Sequence, residues 1–288
     1  MAIPQHRPLL RRIPGQDASD GAGVRLKRSI GSMPALRLDP FLMLDAFSSD
    51  RPDDYIAGFP DHPHRGFETV TYMLDGHMQH RDHMGNTGDL GPGSVQWMTA
   101  GRGIIHSEMP MQRDGRMRGF QLWINLPAAL KMQPPAYRDI PADAIPSAEP
   151  AEGVHLRCIA GHLEGDTWRL AGAVNANGEA ATDPILCDLW LAPHAGITLP
   201  VPDTHAAFVY LYEGAAQVDD AALSLDSAHV LGEGSAVSLR GGDQGGRCLL
   251  VAGKPLGEPI VQYGPFVMNT REEIEQALDD YRRGVLAA

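Results

Sequence analysis

The chain has 288 residues, 43% of them hydrophobic, and a formal net charge of −12. This is the composition of a globular protein of about two domains and not of a disordered chain. The acidic balance excludes broad electrostatic attraction to nucleic acid or to an anionic membrane surface.

The N-terminal stretch lacks the continuous apolar run of a signal peptide, and no segment approaches the roughly 20 apolar residues of a membrane helix. A soluble cytoplasmic protein is expected, with no direct nucleic-acid contact and no membrane association. Arg11, Arg12, Arg25, Lys27 and Arg28 crowd the N-terminus and read as a solvated basic face. The 32 glycines and 23 prolines are scattered along the chain, which favours many short strands joined by turns, an all-β fold.

The first segment that can carry chemistry is Phe59-Pro-Asp-His62-Pro-His64-Arg-Gly-Phe-Glu68-Thr-Val-Thr-Tyr72. Side chains two apart on a strand share one face, so His62 and His64 can aim at one point. Neutral imidazole is a ligand for iron, copper, nickel and zinc. Glu68 shares this parity and competes for a place at the same point, unless Gly66 breaks the strand. His77, His80 and His83 follow at a spacing of three, which suits neither face of a strand. They read as a solvated hairpin, with His80 a candidate for a pocket mouth. Gly101-Arg-Gly-Ile-Ile-His106-Ser-Glu108 then repeats the two-residue spacing with one imidazole and one carboxylate. If the two segments lie side by side, their ligands converge from two directions on a redox metal with open positions.

Six prolines between Pro127 and Pro150 make that stretch a poor place for sheet and a natural connection between halves. The halves resemble each other. Val70–Gly76 aligns with Phe208–Gly214 at an offset of 138, and Leu90–Val95 with Leu231–Ala236 at an offset of 141. The pattern predicts a duplicated barrel, with residues 1–140 carrying the metal and residues 141–288 forming a second barrel. The same offsets put Pro200, Pro202 and Ala206 opposite His62, His64 and Glu68, and Arg247 and Leu249 opposite His106 and Glu108. The second half therefore has no equivalent ligand set. Its histidines, His155, His162, His194, His205 and His229, read as structural or surface residues. Cys158, Cys187 and Cys248 are too sparse for a disulfide framework and read as small buried hydrophobes. A capping box at Thr270-Arg-Glu-Glu273 and apolar residues at Ile274, Ala277, Leu278 and Tyr281 predict one helix over 270–284, with Gly284 as its stop.

The segments around His62 and His106, with Gln96–Ile104 and Gln121-Leu-Trp123, closely resemble the pirin family of bicupins. The resemblance implies two tandem cupin β-barrels of the jelly-roll type. It also implies one divalent metal per chain, held by His62, His64, His106 and Glu108, with Glu68 outside the ligand set. The metal in this family is usually iron, so Fe(II) is expected, with Cu, Ni, Mn or Zn as alternatives.

Family activity implies a quercetin 2,3-dioxygenase-like enzyme that acts on a flavonol-type aromatic substrate. Glu108 would be its general base, and Phe59, Phe67, Met98, Phe120 and Trp123 candidates for its apolar wall. The alternative is an iron-binding regulatory module that modulates a protein partner without turnover. Family members are mostly monomeric, and a monomer is expected.

Overall fold

The computed structural model describes residues 5–288. In chain order they form β1 (Leu9–Pro14), β2 (Gln16–Asp20), β3 (Val24–Arg28), β4 (Phe41–Ser49), β5 (Phe59–His64), β6 (Phe67–Asp75), β7 (Met78–Asp82), β8 (Thr87–Leu90), β9 (Val95–Thr99), β10 (Ile104–Pro110), β11 (Met117–Asn125) and β12 (Ala136–Ile140). They continue with β13 (Ser147–Ala151), β14 (Val154–Ala160), β15 (His162–Glu164), β16 (Arg169–Ala171), β17 (Ile185–Leu191), β18 (Gly196–Pro200), β19 (Ala206–Val218), β20 (Ala221–Ala222), β21 (Ser227–Leu231) and β22 (Ala236–Gly253). The chain ends in the hairpin β23 (Val261–Tyr263) and β24 (Phe266–Met268), followed by the helix α1 (Arg271–Arg282). The fold is all-β with two barrels and a C-terminal helix, as the scattered turn residues and the repeat predict.

The chain divides into two compact units, neither of them continuous in sequence. One contains the segment ending at Gly15, Leu38–Pro40 and Asp143–Pro255; the other contains Gln16–Arg37, Phe41–Ala142 and Leu256–Ala288. A cut between residues 140 and 141 falls between β12 and β13, but the terminal segments cross it. β1 pairs with β21 in the C-terminal barrel, and residues 256–288 return to the N-terminal barrel.

The proline-rich connection holds more sheet than expected: β12 and β13 both lie within it. Each is the last strand of its sheet, β12 beside β9 and β13 beside β14. An edge strand needs ladder donors on one side only, so proline is tolerated there. Pro135, Pro141 and Pro146 stand just outside these strands, and Pro150 falls where the β13–β14 register is broken.

In the N-terminal barrel a four-stranded sheet, β5-β10-β7-β8, faces a seven-stranded sheet, β12-β9-β6-β11-β4-β3-β2. Val24, Leu26, Phe47, Met73, Met78, Leu90 and Met117 pack together as a buried cluster drawn from both sheets. The repeated segments occupy corresponding places: Val70–Asp75 is in β6 and Phe208–Gly214 in β19, interior strands of their sheets. The glycines that end the repeat, Gly76 and Gly214, both have positive φ, at 90° and 70°. The C-terminal barrel has a continuous core that includes Leu156, Leu189, Val209, Val237 and Leu250, and all three cysteines lie buried in it.

The helix α1 starts as its sequence requires. The Thr270 side chain accepts from the Glu273 N–H, and the Glu273 carboxylate accepts from the Thr270 N–H. Ile274 and Ala277 turn inward against Phe266, Met268 and Leu286.

Two buried cations tie this terminal arm to the N-terminal barrel. Arg65 pairs with Asp280 Oδ2 at 2.8 Å and donates to the Arg102 carbonyl. The Lys131 ammonium donates to the carbonyls of Gly66 (2.7 Å) and Val267 (3.0 Å) and to Asn125 Oδ1 (2.6 Å). Burial pulls the Lys131 pKa down to about 8, with partial compensation from the Glu258 and Glu273 charges. Replacing Lys131 by Met strands three acceptors, at about 1–3 kcal/mol for a buried group left unpaired. Lys131→Met is therefore expected to lower Tm at pH 7 by several degrees. The native amine loses its proton near pH 8 and the unfolded one near 10.5, so between these values the unfolded state holds more protons and the Lys131 contribution grows with pH. The Tm gap between wild type and Lys131→Met is expected to widen over that window, measured by thermal melts in matched buffers.

Candidate metal centre

β5 and β10 lie side by side and antiparallel, with His106 opposite His62 and Ile104 opposite His64. This register brings the three imidazoles together. His62 Nε2 and His64 Nε2 are 3.0 Å apart. The His106 ring centroid is 4.3 Å from that of His62 and 4.9 Å from that of His64. One ligand nitrogen from each of the three lies within 4.8 Å of the others, a cluster that can hold a metal ion. His64 and His106 are buried and His62 is half-buried.

The donor set fits a cation. Burial, reinforced by the neighbouring imidazoles, holds His64 and His106 well below the usual histidine range, so both are neutral and have a lone pair to offer. His62 Nδ1 is 2.8 Å from the Pro60 carbonyl. A carbonyl only accepts, so His62 donates from Nδ1, and Nε2 is the nitrogen left for a ligand. Among the described residues His106 Nε2 is buried without a hydrogen-bond partner, an arrangement that a cation would satisfy.

Glu108 lies one alternation further along β10, past an irregularity in the pairing with β5. It is buried, and it stands outside the close cluster of three. Its two oxygens accept from Thr71 Oγ1 and Gln121 Nε2, each at 2.8 Å. Gln121 Oε1 in turn accepts from Trp123 Nε1 at 3.3 Å. Gln121 was given no role by sequence reading. The signal was its spacing of two from Trp123 on β11, which puts both on the inner face.

Glu68 is not at the centre. Gly66 has φ 91°, and the chain changes face there: Phe67 packs on His64 at 5.1 Å between centroids and Thr71 reaches Glu108, whereas Glu68 accepts from Thr99 Oγ1 at 2.6 Å. Burial raises the Glu68 pKa, with hydrogen bonds from Thr99 and Trp97 opposing. Two other expectations need correction. His80 is fully buried against His106 and is no part of a solvated hairpin, although His77 and His83 are exposed. β7 pairs with β10 so that His80 lies opposite Glu108, a register the spacing of three did not reveal. Arg28 is not on a solvated face: it pairs with Asp45 Oδ2 at 2.6 Å and Asp20 Oδ2 at 2.7 Å.

A cleft of about 580 Å³ leads to His62 and His64. Met43, Phe59, Pro60, Trp123 and Pro265 give it apolar walls, and Asp20, Asp61, Arg28, Gln121 and Gln262 give it polar groups. Of the five candidates for an apolar wall, Phe59 and Trp123 line the cleft. Phe67 stacks behind Trp123 at 4.2 Å, Phe120 lies over Tyr72 at 6.4 Å, and Met98 is in the core.

Residues 23–124 match the pirin family, and residues 186–287 match the pirin C-terminal cupin domain. The chain belongs to the pirin family. Among its relatives, a pirin-like protein of Caulobacter vibrioides is 49% identical and covers 96% of this chain and 98% of its own length. Human pirin is 42% identical over 93% of this chain and 89% of its own. The crystal structure of a quercetin 2,3-dioxygenase from Acinetobacter baumannii matches this pirin with a TM-score of 0.87 at 35% identity, over 98% of this chain and 99% of the other. No helix among the described residues is long and apolar enough to cross a membrane.

The Gly66 turn sets which side chains reach the centre, and it has no room for a side chain. A Cβ there would stand 2.0 Å from the Val267 carbonyl oxygen, at a φ that favours glycine. Gly66→Ala is expected to cost about 2 kcal/mol or more and to weaken zinc uptake by displacing His64. Thermal melts and zinc titration check the two effects separately.

Proposed function

We propose that this pirin is a metal-dependent dioxygenase that opens the ring of a flavonol-type aromatic substrate, as quercetin 2,3-dioxygenases do. The observation that carries this reading is the three-imidazole cluster at the end of an apolar cleft, with a buried carboxylate beside it. The cleft volume lies within the range of small-molecule sites. The related structure from A. baumannii bears that activity in its name.

In this reading His62, His64, His106 and Glu108 hold one divalent ion, Fe(II); the nitrogen and oxygen donors also suit Cu, Ni, Mn or Zn. When bound, the ion supplies a Lewis-acidic point for the substrate's oxygens and a redox partner for dioxygen. The protein does the rest. Phe59 and Trp123 offer faces to a planar ring. Glu108 takes the proton of the substrate hydroxyl. Thr71 and Gln121 both donate to its carboxylate and so hold it as an acceptor, the form a general base needs. The Trp123–Gln121–Glu108 chain of hydrogen bonds links the wall that holds the ring to the group that takes its proton.

The test is direct. Protein loaded with Fe(II) without oxygen is mixed with quercetin and then exposed to oxygen. Loss of the flavonol absorbance band with oxygen uptake is expected. His62→Ala should abolish it, and Glu108→Gln should slow it by roughly 10²–10⁴-fold, the usual worth of a general base. Silence with Fe(II), Cu(II), Ni(II) and Mn(II) alike would refute the proposal.

A further inference from the structure

His80 takes no part in the cleft, yet it is the only one of the His77, His80 and His83 group to be buried. It stands behind His106. The two Nδ1 atoms are 3.2 Å apart and the ring centroids 5.0 Å apart. The His80 ring also lies 5.4 Å from that of Tyr137. Both Nε2 atoms, of His80 and of His106, are buried without a hydrogen-bond partner among the described residues.

Two neutral imidazoles that meet through Nδ1 share one proton, and only one ring can donate it. The two arrangements differ at the far side of His106. If His80 donates, His106 carries its own proton on Nε2 and has no lone pair there. If His106 donates, its Nε2 is bare, in a ring whose centroid is 4.3 Å from that of His62 and 4.9 Å from that of His64. His62 solves the same problem with the Pro60 carbonyl, which can only accept. Among the described residues His106 has no such carbonyl, and His80 is the partner in its place. A histidine bound to a metal typically passes its other N–H to an acceptor, and loss of that acceptor costs roughly 10–100-fold in metal affinity.

We infer that His80 is the positioning residue of this centre: its Nδ1 accepts the His106 Nδ1 proton, which fixes the His106 ring in the tautomer that offers Nε2 to a divalent cation. The inference rests on the reading of the three imidazoles as a metal centre and adds a fourth histidine that contacts no metal.

Zinc(II) is the probe, since it is diamagnetic and needs no turnover. In zinc-loaded wild-type protein, nitrogen-15 NMR should show His106 protonated at Nδ1. His80→Leu, which has no acceptor, should weaken zinc binding about 10–100-fold in competition with a chelator. His80→Gln, whose side-chain oxygen can accept, should recover most of that loss. Three results would overturn the inference: His106 bare at Nδ1 in the zinc form, His80→Leu binding zinc as wild type does, or His80→Gln no better than His80→Leu. The NMR result needs no variant and decides the matter if His80→Leu does not fold. His62→Ala and His106→Ala separate the two levels. If they bind zinc as tightly as wild type, the metal reading itself fails and takes this inference with it. If they lose zinc while His80→Leu keeps it, only the role of His80 falls.

Discussion

Three imidazoles brought together at one point are the constraint on which the site depends. Burial makes a charged imidazole costly, so His64 and His106 give up their protons and keep their lone pairs. Nitrogens crowded together in this way form a cluster that can hold a cation. The arrangement is imposed by strand pairing: the β5–β10 register sets His106 against His62, and the β10–β7 register sets His80 against Glu108. The inner face of β11 then brings Gln121 and Trp123 to the same region, one for the carboxylate and one for the cleft wall.

Much of this was legible along the chain. Period-two spacing put His62 with His64 and His106 with Glu108, because strand geometry leaves no other face for them. The capping box marked where α1 begins, since its two hydrogen bonds are local. Glu68 shows where such reasoning stops. An unbroken strand would turn it inward, and a single backbone torsion at Gly66 sends it to Thr99 instead. The sequence permitted that break without requiring it. His80 and Arg28 were misread for a different reason: their partners, His106 and Asp45, are 26 and 17 residues away, joined only by sheet register. The prolines of the connection misled in the opposite direction, because their cost depends on whether a strand has one neighbour or two.

The C-terminal barrel keeps the duplicated architecture without an equivalent cluster of metal-ligating side chains among the described residues. Opposite His62, His64, His106 and Glu108 it has Pro200 at the end of β18, Pro202 just beyond it, and Arg247 and Leu249 on β22. Its buried histidines serve the backbone: His205 bonds the Asp183 carbonyl, and His229 Nε2 accepts from the Ser224 N–H. Its hydrophobic cluster takes in all three cysteines.

The return of residues 256–288 to the N-terminal barrel bears on how the molecule is made. Gln262, Gly264 and Pro265 form part of the cleft wall, and Arg65, the neighbour of His64, holds Asp280. A ribosome makes this arm only after every strand of the second barrel. The barrel that is translated first is thus completed later than the one that follows it, and the cleft wall closes only once residues 262–265 have joined it.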